Sequence, residues 1–381
     1  MDPRQQLDVL LDKNLLRAAR PSAFPAPMRI TRDGREMWNF ASNDYLGLAA
    51  HPAIAAAFTE GIGKFGTGST ASRLITGTHP PHAELEDSIA TAKHTTAALT
   101  FSSGYTTALA TIPIIAGKGD FIILDRLAHA CLIDGARASA ATLRIFPHNS
   151  PEKLSAILSS IRSRHPRCRI LVITESIFSM DGDVCPLLEI LHTCENFSAD
   201  LLLDEAHAVG ILGPTGMGLA EQLGLQQRIA FQMGTLSKAL GLSGGYLATS
   251  RDWIDLMINR ARPFIYSTAP PPALAHAALA SLSLIRSAEG NSLRQNLFHN
   301  THLLRPHHPS AIIVDILGSN EATLTASSAL AEKGFLIPAI RFPTVARGSA
   351  RLRITTSAAH PTSAIRALAQ VLREMPPPAL R

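Results

Sequence analysis

The sequence predicts an α/β protein with a mostly parallel, doubly wound sheet, and two observations predict it. Between Ala41 and about Ser287, short apolar runs typical of buried strands alternate with stretches typical of helices. The chain has 381 residues, 46% hydrophobic and 17% charged, which is enough to bury one large core and a smaller one. We therefore expect an N-terminal arm over 1–37, a large domain over 38–287 and a small α+β domain over 288–381.

The arm begins with a predicted amphipathic helix. Its apolar positions Leu7, Leu10, Leu11, Leu15 and Leu16 share one stripe at helical spacing. A Pro-rich loop follows and leads to the strand-like MWNF.

Five apolar runs predict the sheet of the large domain. These are AALTF, DFIILD, RILVITES, DLLLDE and GGYLATS, separated by helical stretches such as HAELEDSIATAK and PEKLSAILSSIRSR. A further helix is predicted from about Ala273 to about Ser287. In the small domain, AIIVDIL and ARLRITTS are predicted strands, ATLTASSALAEKG and SAIRALAQVLREM are predicted helices, and PPPALR is a predicted frayed tail.

Charge gives little support for nucleic-acid binding. The net charge is +5, but the basic residues are scattered apart from the cluster Arg162, Arg164, Arg167 and Arg169. A solvated helix end and loop explains that cluster better than a binding patch, because a helix C-terminus attracts cations. A mild positive field remains compatible with an acidic carrier protein or with the phosphates of coenzyme A.

The chain shows no membrane or export signal. No apolar run is long enough to span a bilayer, and MDPRQQLDVLLDK lacks the layout of a secretory signal, so we expect a cytoplasmic protein. Cys131, Cys168, Cys185 and Cys194 show no CxxC spacing. We predict reduced thiols, with neither a disulfide framework nor a metal site.

Two segments carry most of the chemical information. The run LLLDEAHAVG predicts a buried strand that ends in Asp204, with His207 three residues later, and open α/β sheets bind ligands at such strand ends. Downstream, GTLSKALGLSGG places Lys238 in a loop of small residues. Alone, the first string also fits a metal site, a nucleotide site or a polar strand end, and the lysine fits a solvated loop. Together they predict a pyridoxal phosphate (PLP) site, in which a carboxylate keeps the pyridine nitrogen protonated and a lysine forms a Schiff base.

Three further motifs add candidate residues. FSSGY, with Gly104 and Tyr105, follows a strand and opens a helix, which fits either a phosphate site or a plain N-capped turn. DRLAHAC places His129 after another strand, where its ring fits either stacking on a flat cofactor or the capped or core position that is more usual for a lone histidine. TESIFSMDGD places Ser179 beside a turn.

As a set, these motifs resemble the α-oxoamine synthases, PLP-dependent enzymes with the fold type I architecture of aspartate aminotransferase. The resemblance covers nearly the whole chain and is carried by NFASNDYLGL, GTGSTASRLITGTHPPHAELE, DRLAHA, TESIFSMDGD, LLLDEAHAVGILG, GTLSKALGLSGGY, IYSTAPPP and AIRFPTVARGSARLRITTSAAH. Within the family, IRFPTVARGSARLR is most similar to the members that condense L-alanine with a pimeloyl thioester in biotin biosynthesis. The resemblance therefore implies a PLP-dependent acyltransferase.

The resemblance also implies roles for the residues that bind the cofactor. Lys238 would hold PLP and later act as a base, Asp204 would pair with the pyridine nitrogen, and His129 would stack on the ring. His207 and Ser179 match positions near the phenolic oxygen of the cofactor, and His207 could also donate to a developing oxyanion. Positions around the phosphate are matched by Gly104, Tyr105 and Thr235.

Other matched positions concern the partner subunit and the substrate. Thr268, in IYST, matches a residue that contributes to the phosphate site of the neighbouring subunit, which implies a homodimer with shared active sites. Asn43 and Arg353 match substrate-side positions, with Arg353 the expected partner of the amino-acid carboxylate. Arg351 is the alternative, and we expect the two arginines to face opposite sides of one strand.

Some positions depart from the family pattern. Ser237 precedes the lysine where several relatives carry Gly, and Arg17 and Arg20 do not align with the arginines of related arms, so both are interpreted as surface charge. The acyl chain, and the choice between pimeloyl-CoA and pimeloyl-acyl carrier protein, stay open. A sibling synthase that uses glycine or serine, a PLP aminotransferase and a non-catalytic subunit of the same fold remain alternatives.

Overall fold

The computed structural model describes residues 2–375, so the predicted tail PPPALR lies outside the described residues. Within this range, none of the helices combines the length and the apolar character needed to cross a lipid bilayer.

The strands are short, and most of them lie at or close to the predicted apolar runs. They are β1 (Arg29–Arg32), β2 (Arg35–Asn39), β3 (Ala97–Phe101), β4 (Phe121–Asp125), β5 (Thr142–Phe146), β6 (Ile170–Glu175), β7 (Asp200–Asp204), β8 (Phe231–Thr235), β9 (Gly245–Thr249), β10 (Ile312–Gly318), β11 (Phe335–Leu336), β12 (Ala339–Ile340) and β13 (Ala350–Thr355).

The α-helices alternate with these strands through most of the chain. They are α1 (Pro3–Asp12), α2 (Pro52–Phe65), α3 (Pro80–Ala92), α4 (Gly104–Ile115), α5 (Ala130–Ala138), α6 (Pro151–Arg164), α7 (Leu187–Asn196), α8 (Leu219–Gln222), α9 (Arg251–Arg260), α10 (Arg262–Ile265), α11 (Pro272–Ile285), α12 (Ala288–Leu304), α13 (Asn320–Glu332) and α14 (Thr362–Glu374).

The polypeptide divides into two compact units. The large unit comprises Leu48–Phe178 and Asp183–Arg294. The small unit comprises the residues up to Gly47, the short segment Ser179–Gly182, and the residues from Gln295 onward. The sequence-based boundaries at residues 37 and 287 stay predictions.

A seven-stranded sheet forms the centre of the large unit, in the order β3-β9-β8-β7-β6-β4-β5. Strand β9 runs antiparallel to both of its neighbours, and the other pairs are parallel. Strands β4 and β6 are fully buried runs, as expected for a parallel sheet covered on both faces. This architecture confirms the predicted α/β class with a mostly parallel sheet.

A fully buried ion pair lies inside the large unit. Lys93 Nζ donates to Glu205 Oε2 at 2.5 Å and to the Met217 carbonyl at 2.7 Å, while Glu205 Oε1 accepts the Ala220 N–H at 3.0 Å. Burial opposes the ammonium charge of Lys93, but the carboxylate outweighs burial and raises the pKa of Lys93. The pair therefore ties the end of α3 to the residue that follows Asp204.

The small unit contains two three-stranded sheets, β10-β13-β12 and β1-β2-β11. Its core consists of Phe40, Ile313, Leu330, Phe335, Ile337, Leu352, Ile354, Ile365 and Leu368, with side chains from strands and helices alike. The predicted small α+β domain of strands and helices after residue 287 is consistent with these elements.

Two sequence expectations about elements were wrong or incomplete. Helix α1 ends at Asp12, because Asn14 adopts a positive φ of 53° that stops the helix, so Leu15 and Leu16 lie outside it. None of the residues of α1 is buried. Strands β5 and β8 were not predicted, because Arg144 in the first and a Gln and a Gly in the second break the apolar pattern.

Candidate active site

Two buried carboxyl groups lie side by side at the ends of β6 and β7. Glu175 pairs in register with Asp204, and the two residues are 2% and 5% exposed. Asp204 Oδ1 accepts the N–H of Ala206 at 2.9 Å. Burial raises the pKa of Asp204, and the positive charge of Lys238 opposes that rise, so the lysine lies within electrostatic range of the carboxylate.

Glu175 was not among the predicted site residues. Its Oε1 accepts the backbone N–H of His129 at 2.5 Å, and burial followed by the nearby Asp204 raises the pKa of Glu175 well above its ordinary value. The available signal was its position at the carboxyl end of a predicted parallel strand, where ligands bind in such sheets. Glu175 therefore holds the start of the helix that carries His129.

His129 caps the N-terminus of α5. Its Nδ1 accepts the N–H of Cys131 at 3.2 Å and lies 3.0 Å from the Cys131 sulfur. The side chain of His129 is exposed at the surface, but the surrounding protein atoms still desolvate its ring, lower its pKa and favour the neutral form with its proton on Nε2. His129 is therefore the N-cap of α5, and its stacking on a cofactor stays a prediction.

Thr235 organises the loop that carries Lys238. Its hydroxyl donates to the Gly244 carbonyl at 2.7 Å and accepts the N–H of Ser237 at 3.2 Å. Gly241, with φ of +72°, accepts no side chain, because an added Cβ would lie 2.4 Å from the backbone N of Ala49. Glycine at position 241 of this loop is therefore required by its backbone.

Helix α4 begins next to the same loop. Ser103 Oγ accepts the N–H of Thr106 at 3.0 Å, so the predicted N-capped turn is present. Gly104 lies beside Thr235, since an added Cβ would be 3.6 Å from the Thr235 Cβ. The Tyr105 hydroxyl donates to Asp134. A phosphate would fit the positive end of this helix, because first-turn N–H groups and the helix dipole favour anions.

His207 and Thr268 occupy different environments in the large unit. His207 is 4% exposed, three residues after Asp204. Thr268 is exposed and forms an isolated antiparallel bridge with Ser72. The residues Arg73 and Ser102, together with Thr268, line one cleft of the large unit.

In the small unit, the guanidinium of Arg353 is buried and hydrogen-bonded through all three of its nitrogens. Its Nε donates to the Ser179 carbonyl at 2.6 Å, its Nη1 to the Thr355 hydroxyl at 2.9 Å and its Nη2 to Asn43 Oδ1 at 3.1 Å. Burial, opposed by the charge of Arg353, raises the pKa of Tyr45 to about 12. Along the described part of the chain, no carboxylate lies within ion-pair distance of Arg353.

Arg351 differs because it already has a counter-ion. Its Nη1 donates to Asp181 Oδ1 at 2.5 Å and to the Met180 carbonyl at 3.0 Å. The expectation that Arg351 and Arg353 face opposite sides of the strand was wrong. Residues two apart point to the same face, and both side chains reach the segment Ser179–Gly182. Of the two, only Arg351 has a carboxylate partner among the described residues, and the binding of an anionic substrate by Arg353 stays a prediction.

Other basic residues have structural roles. Arg162 donates to the carbonyls of Phe197, Cys168 and Ser198, and Arg169 forms an ion pair with Asp200 at 2.7 Å. These bonds agree with the interpretation of this cluster as a helix end and loop.

The two arm arginines have polar neighbours at the surface. Arg20 pairs with Asp33 at 3.3 Å, and Arg17 donates to Thr344 at 3.0 Å. All four cysteines are free thiols.

The structure thus assembles the candidate residues in two sets. The large unit brings Asp204, Lys238, His129 and the unpredicted Glu175 together, with Gly104 next to Thr235. The small unit brings Asn43, Ser179 and Arg353 together. The donor set of the large unit fits PLP, because it combines a buried carboxylate, an amine, an imidazole and a helix N-terminus.

Comparison with known proteins identifies the family. Residues 35–372 match the family model described as aminotransferase class I and II. The 8-amino-7-oxononanoate synthase of Methylobacterium nodulans is 44% identical over 364 residues, which cover 95% of this chain and 93% of that protein.

Solved structures show the same fold. A structure of SPT with a PLP internal aldimine matches with a TM-score of 0.91 at 29% identity, covering 97% of this chain and 95% of the other. The 8-amino-7-oxononanoate synthase from Francisella tularensis matches with a TM-score of 0.73 at 25% identity, covering 88% and 98% of the two chains. The chain therefore belongs to the class I and II aminotransferase family and, within it, to the 8-amino-7-oxononanoate synthases.

Proposed function

We propose that this chain is a PLP-dependent acyltransferase that condenses L-alanine with a pimeloyl thioester to give 8-amino-7-oxononanoate, CO2 and a free thiol, in biotin biosynthesis. One observation carries the proposal: a buried Asp204 lies within electrostatic range of Lys238 in a chain related to these synthases over nearly its full length.

The cofactor assignment follows from what each residue offers. PLP supplies a protonated pyridine ring that withdraws electrons from a carbon attached to the substrate amine. Asp204 would hold that nitrogen protonated, because its carboxylate is buried and Lys238 is the main positive charge acting on it. Lys238 would bind the aldehyde, His129 would stack on the ring, and His207 and Ser179 would lie near the phenolic oxygen.

The remaining residues orient the substrate and move protons. Arg353 binds the alanine carboxylate, since its buried guanidinium lacks an acidic partner in the described chain, and Asn43 lies beside it. The amine of Lys238 would then remove the alanine Cα proton. His207 donates to the oxygen that becomes negative at the thioester carbonyl, and such a donor is worth about 3 kcal/mol.

The reaction balances without an oxidant. A bond forms between the alanine Cα and the thioester carbonyl carbon, and the bond from that carbon to sulfur breaks with release of the thiol. The bond between Cα and the carboxyl carbon then breaks, CO2 leaves, and a proton replaces it on Cα. The net charge of +5 is compatible with an anionic donor, either pimeloyl-CoA or pimeloyl-acyl carrier protein.

We further propose a homodimer with shared active sites. Ile75 and Tyr266 are 76% and 71% exposed, and the bridge between Ser72 and Thr268 places the segments that carry them near each other. Contiguous exposed apolar patches mark interaction surfaces, and we propose that Ile75 and Tyr266 belong to one such patch. A second subunit would cover them and bring Thr268 to the phosphate of the partner's site. The cytoplasmic location stays a prediction.

A sibling activity is the second candidate. The TM-score is 0.91 both to SPT and to a structure named serine palmitoyltransferase, against 0.73 to the Francisella tularensis synthase, which favours a serine-using enzyme on shape alone. The 44% identity to the Methylobacterium nodulans synthase favours alanine.

A substrate matrix separates these candidates. Purified protein loaded with PLP is mixed with L-alanine, glycine or L-serine and with pimeloyl, acetyl, succinyl or palmitoyl thioesters, and thiol release is measured. We expect L-alanine with the pimeloyl thioester to give the highest kcat/KM, with the Lys238→Ala variant inactive in every combination. Preference for serine with palmitoyl thioester, or amino transfer to a keto acid, would reject the proposal.

A further inference from the structure

His148 connects two loops of the large unit through its two ring nitrogens. Nδ1 donates to Asp125 Oδ1 at 2.9 Å, and Nε2 donates to Asp183 Oδ2 at 2.7 Å. Because an ionised carboxylate only accepts hydrogen bonds, both nitrogens must carry a proton, and the ring is an imidazolium. The side chain is 16% exposed, and that of Asp125 is fully buried.

The surroundings of the ring favour this charged form. Burial disfavours the imidazolium, but the carboxylates of Asp125 and Asp183 outweigh burial and raise the pKa of His148 to about 9. Phe178 packs its ring edge-on against His148, with 4.3 Å between ring centroids and 90° between planes. The position of the imidazole is therefore fixed on three sides.

Asp125 organises the turn that leads to His129. It ends β4, its Oδ1 also accepts the N–H of Leu127 at 2.8 Å, and its carbonyl accepts the N–H of Ala128 at 3.1 Å. His129 is the next residue. Any movement of the Asp125 carboxylate would therefore be transmitted to the N-terminus of α5.

Asp183 closes the base of the hairpin that leads to Ser179. Its carbonyl accepts the N–H of Phe178 at 3.1 Å, and Ile177 and Val184 form an antiparallel bridge next to it. Ser179 follows Phe178 directly. Asp183 therefore closes the hairpin base through its backbone, and its carboxylate Oδ2 accepts from His148 Nε2 at 2.7 Å and from Asn149 Nδ2 at 2.9 Å.

We propose that His148 is a positioning residue, which fixes the turn before His129 and the hairpin base before Ser179 relative to each other through Asp125 and Asp183. It is not proposed to touch the substrate or the cofactor. The inference rests on the proposed function only for the roles of His129 and Ser179, since the bridge itself is a property of the chain.

Hydrogen exchange on the cofactor-free protein tests the bridge. The His148→Gln variant keeps one amide donor but loses the charge and the second bond. We expect amide exchange in 127–129 and in 177–184 to accelerate about tenfold or more, because an ionic hydrogen bond contributes about 1.5–3 kcal/mol. The matched control is His299→Gln, which changes an exposed histidine of α12 and should leave both segments unchanged. Acceleration in one segment only, in neither, or evenly over the chain would reject the proposal.

A second measurement needs no variant. Nitrogen-15 NMR of the histidine rings should show both nitrogens of His148 protonated at pH 7, with the ring losing a proton near pH 9. A ring that is neutral at pH 7 would overturn the proposal even if the variant failed to fold.

The consequence for the loaded enzyme is measured separately. We expect His148→Gln to raise the dissociation constant of PLP about tenfold while Asp183→Asn, which keeps an oxygen acceptor, raises it less. If the protein makes no product from L-alanine but the exchange and NMR results hold, the proposed function fails and the bridge stands. If synthase activity is present but exchange is unchanged, the bridge alone fails.

Discussion

Asp204 combines burial with two neighbouring carboxyl groups, Glu175 across the sheet register and Glu205 in sequence. Burial raises the pKa of Asp204, and the positive charge of Lys238 opposes this rise. A protonated pyridine nitrogen would oppose it in the same way. We therefore predict that Asp204 binds the ring nitrogen of PLP at the end of β7.

The Asp204→Asn variant tests this role. The amide would hold PLP but would not keep its ring nitrogen protonated, so exchange of the alanine Cα proton with solvent deuterium should slow by about a hundredfold or more. The exchange is followed by proton NMR with L-alanine alone. Asp200→Asn, at the half-exposed start of β7, is the control and should exchange at the normal rate. Normal exchange in the Asp204 variant would contradict the assignment.

The two arginines of β13 make a matched pair of variants. Arg353→Gln should raise the KM for L-alanine about ten- to a hundredfold, because a hydrogen bond to a charged group contributes about 1.5–3 kcal/mol. Arg351→Gln should leave this KM within about threefold and lower the free energy of unfolding by about 1 kcal/mol, since it leaves Asp181 without its partner. Initial rates and urea unfolding distinguish the two, and the reverse outcome would assign the carboxylate to Arg351.

At the scale of single residues, the sequence was informative where a side chain follows a continuous apolar strand, as Asp204 does. Glu175 and His148 also follow strands, but nothing in the sequence shows that one holds a backbone N–H and the other joins two carboxylates. The choice between Arg351 and Arg353 depended on which has an acidic partner. Such pairing depends on residues far apart in the sequence, here Asp181.

Strand β9, which follows the loop that carries Lys238, lies in close contact with helix α4. Gly245, at the start of β9, lies so close to α4 that an added Cβ would be 2.5 Å from the Gly104 N and 2.5 Å from the Thr107 hydroxyl. Glycine is needed here for the close approach rather than for an unusual φ. Because Gly245 has no side chain, α4, whose N-terminus would bind the phosphate, can lie this close to β9.

Gly245→Ala should destabilise the protein and weaken PLP binding together. Overpacking of this kind costs about 1–3 kcal/mol, and the shift of α4 would displace the first-turn N–H groups. The control is Gly63→Ala in the interior of α2, where nothing lies within 4 Å of an added Cβ. That change should stabilise the protein by about 0.5–1 kcal/mol through helix propensity. Urea unfolding and PLP titration measure both, and a neutral Gly245 variant would disprove the contact.

At the scale of elements, the buried strands β3, β4, β6, β7 and β9 were predictable because they are continuous apolar runs bounded by turns. Strand β8 is equally buried but was not predicted, because a Gln and a Gly interrupt its apolar pattern. The exposed pattern of β5 and the two-residue strands β11 and β12 were not, because their pairing comes from neighbouring strands rather than from their own composition. Helix α1 was predicted too long because spacing alone does not show the backbone reversal at Asn14.

At the scale of the whole molecule, the exposed apolar residues predict the assembly. Ile75→Glu should convert a dimer to monomers, since a buried unpaired charge at an interface is costly, and should weaken PLP binding if Thr268 acts across subunits. Leu188→Glu, at a residue 41% exposed on α7, is the control and should remain dimeric. Sedimentation velocity and PLP titration measure the two effects. A dimeric Ile75 variant would exclude this surface as the interface.

The discontinuous small unit has a consequence for the order of events during synthesis. Its parts emerge from the ribosome at three times: the residues up to Gly47 first, Ser179–Gly182 much later, and the residues from Gln295 onward last. Every strand of the seven-stranded sheet has emerged by Thr249, whereas β10 and β13 follow only afterwards. Domains generally fold as units while the chain grows. We therefore expect the large sheet to form before the first 47 residues can pack with the part of the small unit that starts at Gln295.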